Sequence, residues 1–338
     1  MKAVGYRQSL PVTEADSLID IELTDPEPSG RDLLVQVRAV SVNPVDTKTR
    51  MRSAPRTGED VKVLGWDAAG IVLKTGPDVQ LFKPGDAVWY AGSIDRPGSN
   101  SELHLVDERI VGKKPVSLGF AEAAAMPLTT ITAWELLFER FGVMPGKYPT
   151  DASLLIIGAA GGVGSILTQL ARRLTSMTVI GTASRIETKD WVLSHGAQYV
   201  IDHSQSLPDE LRRIGIPQVS HVASLTQTPL HYPEIVELLV PQGKFALIDD
   251  LGQSDMGLLR RKSISFYWEY MFTRPVFATK DMVAQHDLLC EVADLVDAGV
   301  IHTTLGDHFG RINAINLKRA HALIESGKAR GKIVLEGF

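Results

Sequence analysis

The segment SLLIIGAAGGVGSILTQLARRL, Ser153 to Leu174, constrains this chain more than any other. Ser153 to Ile157 is a short apolar run rich in Leu and Ile, the pattern of a strand buried on both faces. Gly158-Ala-Ala-Gly161-Gly162-Val-Gly164 follows directly, and then a helical pattern with Ile166, Leu167, Leu170, Ala171 and Leu174 on one side. A strand, a glycine turn and a helix N-terminus together make an anion site, because the glycines let the backbone approach a phosphate and the helix supplies free N–H groups. The spacing is G-x-x-G-G-x-G rather than G-x-G-x-x-G, and a glycine cluster alone could be only a tight turn. The flanking strand and helix favour a dinucleotide pyrophosphate, held by Gly158, Ala160, Gly161, Gly162, Val163 and Gly164.

A chain of 338 residues predicts two domains, each with its own core. Hydrophobic residues at 44% and charged residues at 22% suit a globular enzyme. No window has the roughly 18 uninterrupted apolar residues of a spanning helix. Met1-Lys2-Ala3-Val4 opens directly into a strand-like segment without a signal peptide, so a cytoplasmic location and no membrane partner are expected. The net charge of −5, free of long runs, argues against nucleic acid as a partner. Cys290 is the sole cysteine, which excludes an intrachain disulfide and a thiolate zinc cluster.

Up to about residue 125 the pattern is of short β segments and turns, suggesting a partly closed β barrel. LLVQVRAVSV at 33–42 alternates as a half-buried strand, and Asn43-Pro44 reads as its break. Further strands are expected within 63–73 and 82–90, and helix only at 120–126. A helix is expected at 132–141, and beyond the glycine motif strands at 178–181, 199–201, 219–225, 243–248 and 263–268 alternate with helices at 187–195, 207–214 and 231–239. That alternation predicts an α/β fold with a doubly wound parallel sheet. A long helix at 280–298, then one more helix and a last strand within 317–334, complete the chain.

In such a sheet an acidic residue about 20 positions after the glycines selects NAD by binding the ribose 2′-OH. Here the second strand ends Gly181-Thr182-Ala183-Ser184-Arg185, without a carboxylate. Ser184 can donate to a 2′-phosphate, Arg185 can pair with it, and Lys189 lies one helical turn on, so NADPH is the expected cofactor. Ser184 as a helix cap and Arg185 as a solvated charge stay open as the plainer reading, and Glu187 is the nearby carboxylate that opposes NADPH.

Five motifs in chain order, Ser41-Val42-Asn43-Pro44-Val45-Asp46, Gly65-Trp66-Asp67-Ala68-Ala69-Gly70, Lys83-Pro84-Gly85-Asp86-Ala87-Val88, the glycine cluster and Gly331-Lys332-Ile333-Val334-Leu335, resemble the medium-chain dehydrogenase/reductases. Within them the chain is most similar to the quinone oxidoreductase branch and a subgroup called zinc-type alcohol dehydrogenase-like. The resemblance implies a GroES-like β-barrel catalytic domain from residues 1–125 and 274–338, around a Rossmann NADP(H)-binding domain at 126–273. It also implies where the chain departs from its zinc-dependent members. Asn43 stands at the first cysteine ligand, Trp66 at the histidine ligand, and the third ligand falls near Thr129-Thr130. Asp46 and Asp67 alone are a poor set for a metal that needs about three protein ligands, so no metal is expected.

Without a Lewis acid the easier reaction is hydride delivery from NADPH to a quinone or an α,β-unsaturated carbonyl. Asn43 is the first candidate for a catalytic contact, to the nicotinamide ribose or the substrate oxygen, its alternative being a turn that ends a strand. Lys48 is a second catalytic candidate, and Tyr90 and Arg50 are weaker ones. Lys48 could equally pair with Asp46 at the surface. Trp66 is expected to pack, and Thr130 resembles a residue that bonds the cofactor near the nicotinamide. A zinc-type alcohol dehydrogenase and a non-catalytic NADPH-binding sensor remain the other readings. The aromatic strand at 263–268 suggests a homodimer through the Rossmann sheet edge, although a core strand would look the same.

Overall fold

The computed structural model describes residues 1–338 and divides them into two units, Met1–Ile131 with Phe272–Phe338, and Thr132–Met271. In the second unit six parallel strands lie in the spatial order Tyr199–Ile201, Thr178–Thr182, Ser153–Ile157, Val219–Ser224, Leu239–Leu247, Ser265–Trp268. The chain starts in the middle, winds to one edge, and returns to wind to the other. This order reverses beside Ser153–Ile157, so the crevice at the strand ends opens next to the glycine turn. One rung of the register runs Tyr199, Ile180, Leu155, Val222, Phe245, Phe266. Its central members are fully buried in one apolar cluster with Ile235, Leu238 and Leu211 from the covering helices. Leu155→Ala removes the middle of that rung, and urea unfolding should show a loss of about 2–5 kcal/mol. The Ser265–Trp268 strand is an edge, with Trp268 55% exposed. No helix is long and apolar enough to cross a membrane.

The first unit is built on Asp32–Val42, an 11-residue strand paired antiparallel with Ala68–Thr75, Leu103–Asp107 and Lys332–Glu336. Seven strands join this sheet, and Ile19–Glu22, Lys2–Tyr6 and Lys62–Val63 form a second, smaller one. The two ends of the chain therefore share one fold. Register shifts at Leu34/Val35 and Val37/Ala39 bend the long strand, as bulges do.

Several local expectations need correction. Asn43-Pro44 does not merely break the strand, since a helix starts there and spans Pro44–Arg52. Asn at the N-cap and Pro at the first helical position are a start signal. The helix expected at 132–141 begins earlier, over Pro127–Trp134, and continues as a π-helical turn, Glu135–Arg140. A short strand at Leu305–His308 was not expected and pairs parallel with Lys332–Glu336.

Candidate active site

The glycine turn follows directly from Ser153–Ile157. Gly158 has φ +84, where a side chain would be strained, and its N–H donates to Thr182 Oγ1 at 3.1 Å. Gly161 caps the Gly162–Leu174 helix without a capping side chain, leaving the first-turn N–H groups for an anion. Ala160, Gly161, Gly162 and Val163 are partly exposed, whereas Gly164 is buried. A Cβ on Gly164 would lie 2.5 Å from Ala159 Cα and from the Gly158 carbonyl oxygen, both backbone. This cradle fits a pyrophosphate. Gly164→Ala should displace the turn and weaken dinucleotide binding about tenfold or more, since 1.4 kcal/mol is tenfold and overpacking costs about 1–3. A fluorescence titration checks this.

Past the second strand, Ser184 is exposed and makes no cap, because Arg185 holds the N-cap of Ile186–Ser194. Arg185 Nη1 lies 3.5 Å from Glu187, and Lys189 Nζ is 3.2 Å from Asp202. Asp202 escaped the sequence reading because it follows the third strand. These partly exposed pairs are each worth about 0–1 kcal/mol, so a phosphate can recruit both cations at small cost.

A buried polar cluster forms where the long strand of the first unit ends. Val40 pairs with Ala68 and Ile333 with Val42. One step further, both registers bring Asp67 and Lys332 beside Ser41 and Asn43. Asp67 Oδ2 accepts from Ser41 Oγ at 2.9 Å, Asn43 Nδ2 at 2.8 Å and Lys332 Nζ at 2.7 Å. Its Oδ1 accepts from the Leu128 N–H at 2.7 Å. Lys332 Nζ also donates to Asn43 Oδ1. Asp46 Oδ2 accepts from the Asn43 N–H at 2.7 Å, and burial pushes the Asp46 carboxyl up to about 7, against the pull of that N–H and of Lys332. All of these side chains are buried. Lys332 is the residue that sequence reading missed. Its signal was a lysine opening the strand KIVLE ahead of three apolar residues.

The other candidates are dispersed. Lys48 is exposed on the Pro44–Arg52 helix, whereas Asp46 is buried. Tyr90 is fully buried, and its OH faces His104 Nδ1 at 3.0 Å. His104 Nε2 lies 2.9 Å from the Pro97 carbonyl oxygen, which can only accept, so Nε2 carries the proton and Nδ1 accepts from Tyr90. Burial holds the Tyr90 phenol well above its usual range. Arg50 is buried and pairs with Glu325. Trp66 packs edge-on against Phe272 and donates to the Ser93 carbonyl oxygen at 3.1 Å. Thr129 Oγ1 donates to the Met126 carbonyl oxygen at 3.0 Å, but the buried Thr130 Oγ1 has no partner.

These residues do not fit zinc. The indole of Trp66 is no ligand, Asn43 Oδ1 is engaged by an ammonium, and that same cation lies on Asp67. No group of three His, Cys, Asp or Glu side chains is placed to hold a metal ion.

The profile of the alcohol dehydrogenase GroES-like domain matches residues 29–134, and that of the zinc-binding dehydrogenases matches residues 195–335. A zinc-type alcohol dehydrogenase-like protein of Staphylococcus aureus is 40% identical over 99% of both chains. The 2-methylene-furan-3-one reductase of Solanum lycopersicum is 34% identical over 62% of this chain and 55% of its own. Among solved structures, a Rhizobium etli protein provisionally assigned as a zinc-dependent alcohol dehydrogenase superposes with TM-score 0.95 at 56% identity, over 100% of this chain and 98% of its own. The Escherichia coli quinone oxidoreductase complexed with NADPH gives 0.85 at 25% identity, over 99% of both. With a GroES-like unit, a Rossmann unit and full-length relatives of this kind, the chain belongs to the medium-chain dehydrogenase/reductase superfamily of oxidoreductases.

Proposed function

We propose that the protein is a zinc-independent, NADPH-dependent reductase of quinones or α,β-unsaturated carbonyl compounds. The observation that carries this reading is the Lys332 ammonium, which lies against Asn43 Oδ1 and Asp67 where zinc-dependent members would bind metal. A site without a Lewis acid suits an acceptor that is already electron-poor. The tomato relative is named for a ketone conjugated to a methylene group, and the E. coli neighbour for a quinone and NADPH, which supports both acceptor classes.

When bound, NADPH supplies a hydride. With one proton from solvent, an enone then becomes the saturated carbonyl compound, or a quinone the hydroquinone. Gly158 and the turn Ala160 to Gly164 hold the pyrophosphate, and Ser184, Arg185 and Lys189 hold the 2′-phosphate. Thr130 Oγ1, buried without a partner, is the donor or acceptor offered near the nicotinamide. Asn43 donates to the oxygen that becomes negative as the hydride arrives, and Lys48 is the second polar contact for substrate. Tyr90, sealed against His104, serves packing. The exposed Ser265–Trp268 edge pairs two copies as a homodimer, and light scattering that reads a monomer at micromolar concentration counts against it.

The test is oxidation of NADPH and NADH by chelator-treated protein with 1,4-benzoquinone, 9,10-phenanthrenequinone and a simple enone. NADPH should be preferred, and Arg185→Ala should weaken NADPH about tenfold while leaving NADH unchanged, as expected for a charge-assisted phosphate contact of about 1.5–3 kcal/mol. Turnover that vanishes on chelation and returns with zinc overturns the reading.

A further inference from the structure

We infer that Lys332 is a positioning residue for this reaction: its buried ammonium fixes the Asn43 carboxamide as a hydrogen-bond donor and strengthens that donor for a developing oxyanion. The inference rests on the role proposed above for Asn43. An ammonium has three donors and no acceptor, so the amide atom facing Lys332 Nζ must be the carbonyl oxygen Oδ1. The carboxylate of Asp67 only accepts, and it meets the other end, Nδ2, at 2.8 Å. Two partners of opposite sign therefore set the orientation, and a flip would place donor against donor and acceptor against acceptor. Asn43 also N-caps the Pro44–Arg52 helix, and its backbone N–H donates to Asp46 Oδ2 at 2.7 Å, which holds the residue in place from the main chain as well.

Nδ2 carries two N–H groups, and one is used by Asp67. The second has no acceptor in the protein, which leaves it for an oxygen of a bound molecule. A cation on Oδ1 draws electron density from the amide nitrogen and makes the remaining N–H a stronger donor, as in any polarised hydrogen-bond chain. The effect is largest where water is excluded, and Asn43 and Lys332 are 1% and 3% exposed. In this arrangement the positive charge reaches the substrate through one amide, and the protein needs no metal to place it there.

Lys332→Met alone leaves Asp67 buried without its cation and threatens folding. The test therefore uses the neutral pair Lys332→Gln with Asp67→Asn, beside Asn43→Ala. With an enone acceptor the double variant should keep its NADPH dissociation constant within about threefold and lose about 10- to 100-fold in kcat, the scale of a weakened oxyanion donor. Asn43→Ala should lose at least as much. The chain has four asparagines, so protein labelled with 15N in Asn gives a short list of side-chain amide signals, and Asn43→Ala assigns the relevant one. That signal should move in the double variant. Unchanged kcat with the signal moved overturns the strengthening of the donor, and an unmoved signal overturns the positioning. Wild-type protein inert to every acceptor sinks the proposed reaction itself, while the amide signal still decides whether Lys332 orients Asn43.

Discussion

Asp67→Ala is expected to destabilise the protein by about 3–5 kcal/mol, the cost of breaking a buried ion pair from one side. Asp67 gathers four hydrogen bonds, from Ser41 and Asn43 at the end of one strand, Lys332 at the start of another and Leu128 in the first turn of a helix. Alanine strips the buried ammonium of its carboxylate and also removes the oxygen that accepts from the Leu128 N–H. Neighbouring Asp46 can offset part of this by ionising, since Lys332 already favours its charged form. Urea unfolding of Asp67→Ala, Lys332→Met and the double variant separates these effects. The double variant should recover most of the loss, because it leaves neither charge alone. The exposed pair Lys74–Glu27, with side chains 57% and 73% accessible, provides the contrast, and Lys74→Ala should cost no more than about 1 kcal/mol. Equal losses for Asp67→Ala and Lys74→Ala would mean that the cluster contributes no more than a surface pair.

The Rossmann unit was legible because its signals are local. A strand of apolar residues, a glycine turn and a helix lie within 22 consecutive residues, and alternating strands and helices follow in order. The polar cluster of the first unit was only half legible. Asn43, Asp46 and Asp67 stood out as residues at or beside expected ligand positions. Lys332 lies 289 positions from Asn43, and only the register of Lys332–Glu336 against Asp32–Val42 brings them together. No periodicity within either segment encodes that register. Tyr90 shows a different limit. Its place in an apolar strand was clear, but the direction of its hydroxyl depends on His104, whose tautomer is fixed by a loop carbonyl. Pro44 was misread because proline ends one element and starts another with equal ease, and the cap in front of it decides which.

Lowering the pH from 6.5 towards 4 should destabilise the protein through histidines that fold in the neutral state. Burial holds His104 down to about 4, and burial together with Arg50 holds His321 down to about 3. His321 Nδ1 lies 3.5 Å from Arg50 Nη1, so a proton there would bury a second cation beside the first. His104 accepts the Tyr90 hydroxyl on Nδ1, and protonation would turn that acceptor into a donor. Folded-state values below the ordinary 6.5 mean that the unfolded chain binds more protons. The stability contributed by the neutral rings is therefore complete above pH 6.5 and is lost as the pH falls through 6.5 towards the folded values. Each histidine contributes a slope of at most about 1.4 kcal/mol per pH unit in that window. Asp46 and Glu269, raised to about 7 and about 9 by burial, act in the opposite sense and lose their contribution as the pH rises. A variant cancels those background terms. In urea unfolding at pH 7.5, 6.0, 5.5 and 4.5, the stability of wild-type protein relative to His321→Gln should fall by about 1 kcal/mol per pH unit below 6 and stay flat above 7. Parallel profiles at every pH would mean that His321 does not resist protonation in the folded protein.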